Sequence, residues 1–529
     1  GGGGLPLGLD EDCLQLNVYT PSLEGERSTI VWFHGGNLTG GSASGGLEFD
    51  PTAKLGANPA FLSQEHNLVV VTASYRLNVF GFLNLKGGDG NCGLLDAAMV
   101  LRWVRDEIKG FGGDRDNVTV VGLSAGGHIA SQLLCMPAAK GLFHKAICMS
   151  GSAQWTLGTK EDHDRRVAEP FAKKLGFESL AEMTIEKARA LPAELLRRAY
   201  IECGSFLEGG TLHIDGTTVP RDAIDMMQEG FAKDVRVLSG VTRDEGVFSA
   251  AIPRRGATMD DVINSVKDHL ARACYLMSGD IDCLRHVDEE ARKAVAAEIV
   301  RSYEGLIKRF HESPARAREQ SVKLSTNKFP SLADSNYELA VKILGDHDFS
   351  LPHLMATWAL SHHSHVYAYV FSDESSLEGR FAGHGSDKPF LFGTVATADG
   401  HSGPRRLSSL IMGAWAAFAK TGNPSTAEIG DWAPISFSPE AKVLPETPTS
   451  WQHMNFEHDR TGIVSFGLDE AKIWLAAASR LSTLLEDSCC QGTMRRAAEA
   501  MASALNVKNA AAGTHQSHAD IEMHTPGQS

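Results

Sequence analysis

Several features that mark other classes of protein are missing from this sequence of 529 residues. No apolar run approaches the roughly 18 residues that a membrane-spanning helix needs. No lysine- or arginine-rich stripe is present, and the net charge of −15 opposes binding to nucleic acid. No internal repeat interrupts the chain. We therefore expect a soluble protein with no transmembrane segment and no nucleic-acid partner.

The sequence also lacks a long linker, although its length would allow three or four domains. Because large α/β folds often run as one unit, we predict a single domain over residues 1–505. Residues 506–529 are rich in Ala, His, Gly and Ser and have little apolar content. We expect them to form a disordered tail.

The nine cysteines are an odd number, which permits a secreted protein but does not establish one. Cys274 and Cys283 flank a polar turn, and their spacing predicts a local disulfide bond. Cys92, Cys135 and Cys148 lie in apolar segments, and we expect buried thiols there.

Apolar strand-like segments alternate with helical segments through about Gly240. This alternation is typical of an α/β protein whose central sheet is mostly parallel and covered by helices on both faces. The later half of the sequence has more helical character. The predicted fold class is therefore α/β.

A short β-branched segment at 118–121 runs directly into a Gly-x-Ser-x-Gly sequence, in which Ser124 stands between Gly122 and Gly126. β-Branched residues favour a strand, and glycines allow a sharp turn with close backbone approach. The residues that follow have helical character, so the pattern is typical of a nucleophile elbow. It predicts that the Ser124 hydroxyl stands at a helix N-terminus, where it can attack an acyl carbon.

An earlier apolar segment, at 28–33, is followed by a His-Gly-Gly-Asn sequence at 34–37. Glycines after a strand let backbone N–H groups point toward a substrate, as in an oxyanion loop of the His-Gly-Gly type. We predict that the N–H groups of Gly36, Asn37 and Ala125 are the oxyanion donors. Each such donor stabilises the transition state by about 3 to 4 kcal/mol.

A serine nucleophile needs a base, and the base needs an acid to orient it. His384 is flanked by glycines in a loop that would let its imidazole approach the serine. A charged loop after the segment ending at Gly240 holds two carboxylates, Asp244 and Glu245. The chemistry of the residues leaves the choice between them open.

Many further motifs, in order along the chain, resemble those of the type B carboxylesterases, the group that includes the cholinesterases, bile-salt-type lipases and juvenile hormone esterases. They begin with Glu-Asp-Cys-Leu-Gln-Leu-Asn-Val-Tyr at 11–19 and include the elbow and the His384 loop. The others lie at 31–36, 74–83, 90–96, 101–104, 111–119, 142–147, 150–152, 240–246 and 415–424. The resemblance implies an α/β-hydrolase fold, with a carboxylesterase catalytic domain over 1–505.

Carried over residue by residue, the resemblance implies a catalytic triad in the order Ser124, Glu245, His384. It favours Glu245 over Asp244 as the acid. It also implies two-step ester hydrolysis through an acyl-enzyme, with no metal and no organic cofactor. The oxyanion positions of the family fall on the donors already named.

The resemblance assigns further residues around the triad. Ser150 matches a serine that supports the triad by hydrogen bonding. Trp155 and Phe248 follow positions that line the acyl side of the gorge, although ordinary core packing would explain them equally well. Helices over 258–345 are expected to cover the mouth of the site. Leu123, before the nucleophile, is a further candidate for the pocket wall.

Two departures from the family pattern concern the substrate. The family commonly has a glutamate where Leu123 stands, and Asn37 replaces the third glycine of the loop. In cholinesterases that glutamate and an upstream tryptophan help to hold a quaternary ammonium group, and no tryptophan precedes Trp32 here. We therefore expect neutral ester or lipid substrates and poor turnover of choline esters.

The alternative function is a catalytically inert adhesion or ligand-binding module, since the same fold serves both purposes. The intact contexts of Ser124, Glu245 and His384 favour the enzyme. The four glycines at the start of the sequence lie close to the Glu-Asp-Cys motif, so we expect the front of the family domain to be missing. The resemblance favours the secretory pathway, and a cytoplasmic location is the alternative.

Overall fold

The computed structural model describes residues 10–44, 59–153, 158–203, 212–248, 256–278, 287–312, 332–374, 381–395, 402–435, 452–457, 461–465, 472–474, 476–477 and 480–481. The fifteen α-helices discussed below, like the strands, belong to these ranges. Both ends of the chain, including the predicted tail at 506–529, lie outside them.

The described strands form one sheet, in the spatial order β1-β3-β2-β4-β5-β6-β7-β8-β9. Every neighbouring pair is parallel except the two edge pairs, β1 with β3 and β8 with β9. The predicted mostly parallel sheet is confirmed. The strands are β1 (Leu16–Tyr19), β2 (Arg27–Phe33), β3 (Val69–Ala73), β4 (Gly113–Leu123), β5 (Lys145–Met149), β6 (Arg236–Thr242), β7 (Val366–Phe371), β8 (Gln452–Phe456) and β9 (Gly462–Ser465).

Helices follow the strands along the chain, and three long ones lie within residues 258–345, where helices were predicted. In chain order they are α1 (Pro59–His66), α2 (Asn78–Phe82), α3 (Cys92–Glu107), α4 (Ala125–Leu133), α5 (Lys160–His163), α6 (Glu169–Lys174), α7 (Ile185–Arg189), α8 (Ala193–Glu202), α9 (Ala223–Gln228), α10 (Met259–Ser278), α11 (Glu289–Glu312), α12 (Leu332–Gly345), α13 (Leu351–Ser361), α14 (Lys388–Leu391) and α15 (Gly403–Thr421). A π-helical turn, Asp346–Ser350, joins α12 to α13.

The two faces of the sheet have separate hydrophobic cores because successive strand residues point to opposite sides. On β4, Val120 packs in one core together with Ile129 of α4. Its neighbour Val121 packs in the other core together with Trp415 of α15. Both faces are therefore covered by helices, as predicted.

None of the helices in the described ranges is long and apolar enough to cross a membrane. Within those ranges, the thiols of Cys13, Cys92, Cys135, Cys148 and Cys203 are all free. Burial confirms the prediction for Cys135 and Cys148, but Cys92 is only half-buried because it begins α3 at the surface. The pairing predicted between Cys274 and Cys283 falls on side chains outside the described residues.

Candidate active site

The predicted nucleophile elbow joins β4 to α4, and its backbone requires glycine on both sides of the serine. A Cβ atom on Gly122 would lie 2.0 Å from the carbonyl oxygen of Gly126. A Cβ atom on Gly126 would lie 2.0 Å from the carbonyl oxygen of Phe33, at the end of β2. Any side chain at either position would collide with backbone, so the turn can be this tight only with glycine at both positions.

Ser124 stands at the apex in a strained conformation, with φ of 58° and ψ of −123°. Such a conformation in a residue other than glycine costs about 1 to 3 kcal/mol and persists only where the surroundings impose it. The Ser124 N–H donates to the carbonyl oxygen of Met149 at 2.8 Å, which ties the apex to β5. Within residues 118–136, Ser124 alone is not buried. The fold thus presents one hydroxyl in an otherwise buried strand–turn–helix unit.

A buried carboxylate and an imidazole meet near this apex. Glu245 Oε2 lies 2.6 Å from Nδ1 of His384, and the Glu245 side chain is only 1% exposed. The other oxygen, Oε1, accepts a hydrogen bond from the Ser150 hydroxyl at 2.6 Å and another from the Thr242 N–H at 2.6 Å. Three groups therefore contact the carboxylate: the Ser150 hydroxyl and the Thr242 N–H at one oxygen, and the histidine ring at the other.

Asp244, the neighbouring carboxylate, points into a different set of contacts. It forms an ion pair with Arg243 at 2.6 Å, in which both side chains are nearly buried. Its Oδ2 also accepts the N–H of Ala382 at 2.9 Å. Arg243 contacts Glu374 as well, at 2.8 Å. Asp244 thus ties the His384 loop to the end of β6 without contacting the imidazole in these interactions.

The His384 loop lies directly against the elbow. The N–H of Ser386 donates to the carbonyl of Gly383 at 2.9 Å, which closes a turn around the histidine. Gly385 has a φ of 76°, and a Cβ atom placed on it would lie 3.6 Å from Cδ2 of Leu123. The turn therefore brings the loop that carries His384 against the residue that precedes the serine.

The predicted oxyanion loop also reaches the serine. A Cβ atom on Gly35 would lie 3.1 Å from Cβ of Ser124, so the loop and the elbow are in contact. Gly36, Asn37 and Leu38 all have positive φ angles, of 122°, 56° and 57°. The N–H groups of Thr39 and Gly40 both donate to the Gly36 carbonyl at 3.0 Å, which closes a tight turn in this loop.

Comparison with known proteins bears on what this arrangement is. The sequence profile of the Carboxylesterase family matches residues 4–465. Para-nitrobenzyl esterase of Bacillus subtilis (strain 168) is 31% identical over 437 residues, which cover 79% of this chain and 76% of that protein. The chain belongs to the carboxylesterase family. Acetylcholinesterase of Bungarus fasciatus is 29% identical over 470 residues, with 84% of this chain and 70% of that protein covered.

The fold of this carboxylesterase is also similar to solved structures of esterases. A solved carboxylesterase of Geobacillus stearothermophilus matches it with a TM-score of 0.65 at 26% identity, covering 88% of this chain and 86% of that one. The mostly parallel sheet and its two helical layers are accordingly those of an α/β-hydrolase. The family and the fold class predicted from the motifs are both confirmed.

Of the three residues predicted to line the pocket of this carboxylesterase, the structure describes the side chain of Leu123 alone. Leu123 is 6% exposed and packs in the core that contains α15. Its side chain therefore contributes mainly to the core below the His384 loop. Phe248 ends a 3-10 helical turn, Glu245–Phe248, but its side chain lies outside the described part of the chain. Trp155 lies outside that part altogether.

His34 of the oxyanion loop is structural in its contacts. It is buried, its Nδ1 lies 2.8 Å from the Gly35 carbonyl oxygen, and its own carbonyl oxygen accepts the Tyr75 hydroxyl at 2.7 Å. The two rings stack with centroids 4.4 Å apart. Burial lowers the pKa of His34 to about 4, so the imidazole stays neutral and rigid at neutral pH.

Three contacts of this site were not anticipated from the sequence. Thr242 holds Glu245 through its backbone N–H, which no side-chain pattern reveals. Phe349, in the π-helical turn, places its ring centroid 4.7 Å from that of His384. Asp387 is buried close behind the same loop and accepts a hydrogen bond from Tyr369. The position of Asp387 three residues after His384 was the only available indication in the sequence.

Proposed function

We propose that this carboxylesterase hydrolyses neutral carboxylic esters through a Ser124–His384–Glu245 triad. The observation that carries the proposal is the 2.6 Å contact between Glu245 Oε2 and His384 Nδ1. A carboxylate at Nδ1 keeps the proton on that nitrogen, so the other ring nitrogen, Nε2, is unprotonated and can act as the base toward a serine hydroxyl.

In the first step, the Ser124 oxygen bonds to the ester carbonyl carbon while its proton passes to Nε2 of His384. The carbonyl π electrons move onto oxygen, and the N–H groups of Gly36, Asn37 and Ala125 stabilise the oxyanion. The C–O bond to the alcohol then breaks, and the imidazolium returns the proton to the leaving alkoxide. The acyl group is left on Ser124.

The second step repeats this chemistry with water. His384 accepts a proton from the water as its oxygen bonds to the acyl carbon, and the proton then returns to the Ser124 oxygen as the carboxylic acid leaves. No net oxidation or reduction occurs, and no metal or organic cofactor is required. The imidazolium exists in both steps, and the buried Glu245 carboxylate stabilises it because water does not screen the pair.

The expected substrates carry an uncharged alcohol group. The residue before the nucleophile is Leu123, so the site lacks a carboxylate at that position to attract an ammonium group. The Ser150 hydroxyl and the Thr242 N–H both donate to Glu245, so these groups do not serve to bind substrate. Small neutral esters and lipid-like esters therefore suit the site better than choline esters.

A fluorophosphonate probe and a series of para-nitrophenyl esters of increasing acyl length test the proposal. Wild type and Ser131→Ala should both be labelled and turn over esters, while Ser124→Ala should do neither. Ser131 is a matched control because it is a buried serine of α4 that accepts the Ala153 N–H at 2.9 Å. A wild-type protein that is folded, unlabelled and inactive on every ester would instead support an adhesion or ligand-binding module.

A further inference from the structure

A second carboxylate lies behind the His384 loop. Asp387 is 2% exposed, and its Oδ2 accepts the hydroxyl of Tyr369 at 2.9 Å. Its other oxygen, Oδ1, is buried and has no hydrogen-bond partner among the described residues. The Asp387 backbone N–H also lowers the pKa of this carboxyl, but a buried carboxylate whose donors are all neutral is expensive to keep ionised. Such a group calls for an explanation other than stability.

Packing against the sheet holds the Tyr369 side chain in a position where its hydroxyl reaches this carboxylate. Tyr369 pairs with Gly240 in the register of β6 and β7, and a Cβ atom on Gly240 would lie 2.2 Å from the tyrosine ring. The other side of the ring is packed edge-on against Trp415, with centroids 4.9 Å apart. The side chain is 1% exposed, so its hydroxyl is cut off from solvent and donates to Asp387.

Asp387 is joined to the histidine by a short rigid segment. The turn closed by Ser386 and Gly383 continues with a hydrogen bond from the Lys388 N–H to the Gly385 carbonyl at 3.2 Å. Asp387 therefore cannot move far relative to His384, which lies three residues before it. Rigid coupling of this kind fixes the distance over which the carboxylate acts on the imidazole.

The charges around Asp387 act on it in opposite directions. Burial raises the pKa of its carboxyl to about 6, the hydrogen bond from Tyr369 lowers that pKa, the negative charge of Glu245 raises it, and a positive charge on His384 lowers it. An ionised Asp387 carboxylate in turn favours a positive charge on the nearby imidazole, because opposite charges attract. Burial raises the pKa of the Cys148 thiol, on β5, to about 12, so this neighbouring group stays neutral.

We propose that Asp387 is a positioning residue whose carboxylate, kept ionised by Tyr369, stabilises the imidazolium that forms on His384 during ester hydrolysis. This inference rests on the proposed function, because it assigns Asp387 a part in the same reaction. Two carboxylates then share one developing positive charge: Glu245 by direct contact, and Asp387 from behind the loop. Burying an ionised carboxylate costs free energy in the resting protein. In the transition state this cost is offset, because the carboxylate then lies near the positive imidazolium of His384.

The pH dependence of kcat/KM distinguishes this role from a structural one. Asp387→Asn removes the negative charge, so the imidazolium that forms on His384 is stabilised less and the plateau of kcat/KM falls about tenfold. The acid limb of its profile moves to lower pH. Well below the Asp387 pKa of about 6, the wild-type carboxyl is itself neutral, and the two profiles should converge there.

Tyr369→Phe should act in the opposite direction on the acid limb. This variant keeps the Asp387 carboxyl but removes the hydroxyl donor that favours its ionised form, so the carboxyl ionises at higher pH. The part of kcat/KM that depends on the ionised carboxylate should therefore appear only at higher pH than in wild type. Asp96→Asn is the control, since it removes another buried carboxylate, one that pairs with Arg76 at 2.7 Å. The control should lower the melting temperature and leave the pH profile of the wild type unchanged.

Each outcome decides the matter. Opposite shifts for Asp387→Asn and Tyr369→Phe, with convergence at low pH, support the proposal. An Asp387→Asn protein that is folded and keeps the wild-type profile and plateau overturns it, while the triad stands. A uniform loss of kcat/KM at all pH values, as a purely structural role would give, also overturns it. A wild-type protein without labelling or turnover overturns the proposed function, and this inference falls with it.

Discussion

Replacing Glu245 by glutamine is the sharpest test of the proposed triad, because the structure fixes which way the new amide would face. The Oε1 position receives two donors, the Ser150 hydroxyl and the Thr242 N–H, both at 2.6 Å. Only the amide oxygen can accept from them. The amide NH₂ must then point at Nδ1 of His384, where a carboxylate oxygen now lies.

An NH₂ group at that position reverses the tautomer of the imidazole. Nδ1 becomes the acceptor, the proton moves to Nε2, and the ring cannot take a proton from Ser124. The loss of a hydrogen bond to a charged group would by itself cost about 1.5 to 3 kcal/mol. The wrong tautomer adds to this, and the combined loss in kcat is on the order of 10⁴, equivalent to about 5.4 kcal/mol.

Asp244→Asn is the matched comparison, since it removes the neighbouring carboxylate without reaching the imidazole. It weakens a buried ion pair with Arg243, which keeps Glu374 as a partner. Breaking such a pair costs about 3 kcal/mol of folding stability. We expect a lower melting temperature with kcat within about tenfold of wild type.

Both variants are measured by kcat on the best para-nitrophenyl ester, by the rate of fluorophosphonate labelling, and by thermal melts that establish folding. Glu245→Gln should melt close to wild type and lose nearly all turnover. If a folded Asp244→Asn is the inactive protein and Glu245→Gln turns over normally, the assignment of the acid is wrong.

The remaining predictions concern substrate, support and stability. Acylcholines should give lower kcat/KM than neutral esters of equal acyl length, and a preference for the choline ester would refute the expected lack of a cationic site. Ser150→Ala removes one donor from Glu245 and should lower kcat about tenfold in the same ester assay without unfolding the protein; unchanged kcat would contradict its supporting role. Gly126→Ala forces a Cβ atom to 2.0 Å from a backbone oxygen and should lower the melting temperature far more than Gly110→Ala, where the new Cβ meets no atom within 4 Å beyond its own local backbone. Burial raises the Asp387 pKa from 3.8 to about 6, so ionisation of this carboxyl opposes folding increasingly as pH rises between these values. The free energy of unfolding of Asp387→Asn should therefore exceed that of wild type by up to about 3 kcal/mol at pH 8, but not at pH 4. Thermal melts at both pH values would show this difference.

The parts of the site that the sequence predicts well are those made by contiguous residues. A turn in which Gly122 and Gly126 cannot carry a Cβ atom leaves a pattern of five letters, and that pattern is readable without any tertiary contact. The same holds for the loop at 34–37, whose positive φ angles follow from local sequence. The strands were also predictable, but the face of the sheet to which each residue points was not, because β2 is apolar at successive positions on both faces.

The choice of acid and the environment of Asp387 depend on contacts between distant parts of the chain. Glu245 meets His384 across 139 positions, and adjacent carboxylates look equivalent until the ends of β5 and β6 supply the donors that hold one of them. Asp387 looks like an ordinary charged residue at a helix start. It becomes a buried carboxylate only because Gly240 leaves room for the Tyr369 ring on the neighbouring strand. Sequence patterns thus locate the groups proposed to react, whereas the groups that would set their charge are selected by register and packing, which no single segment encodes.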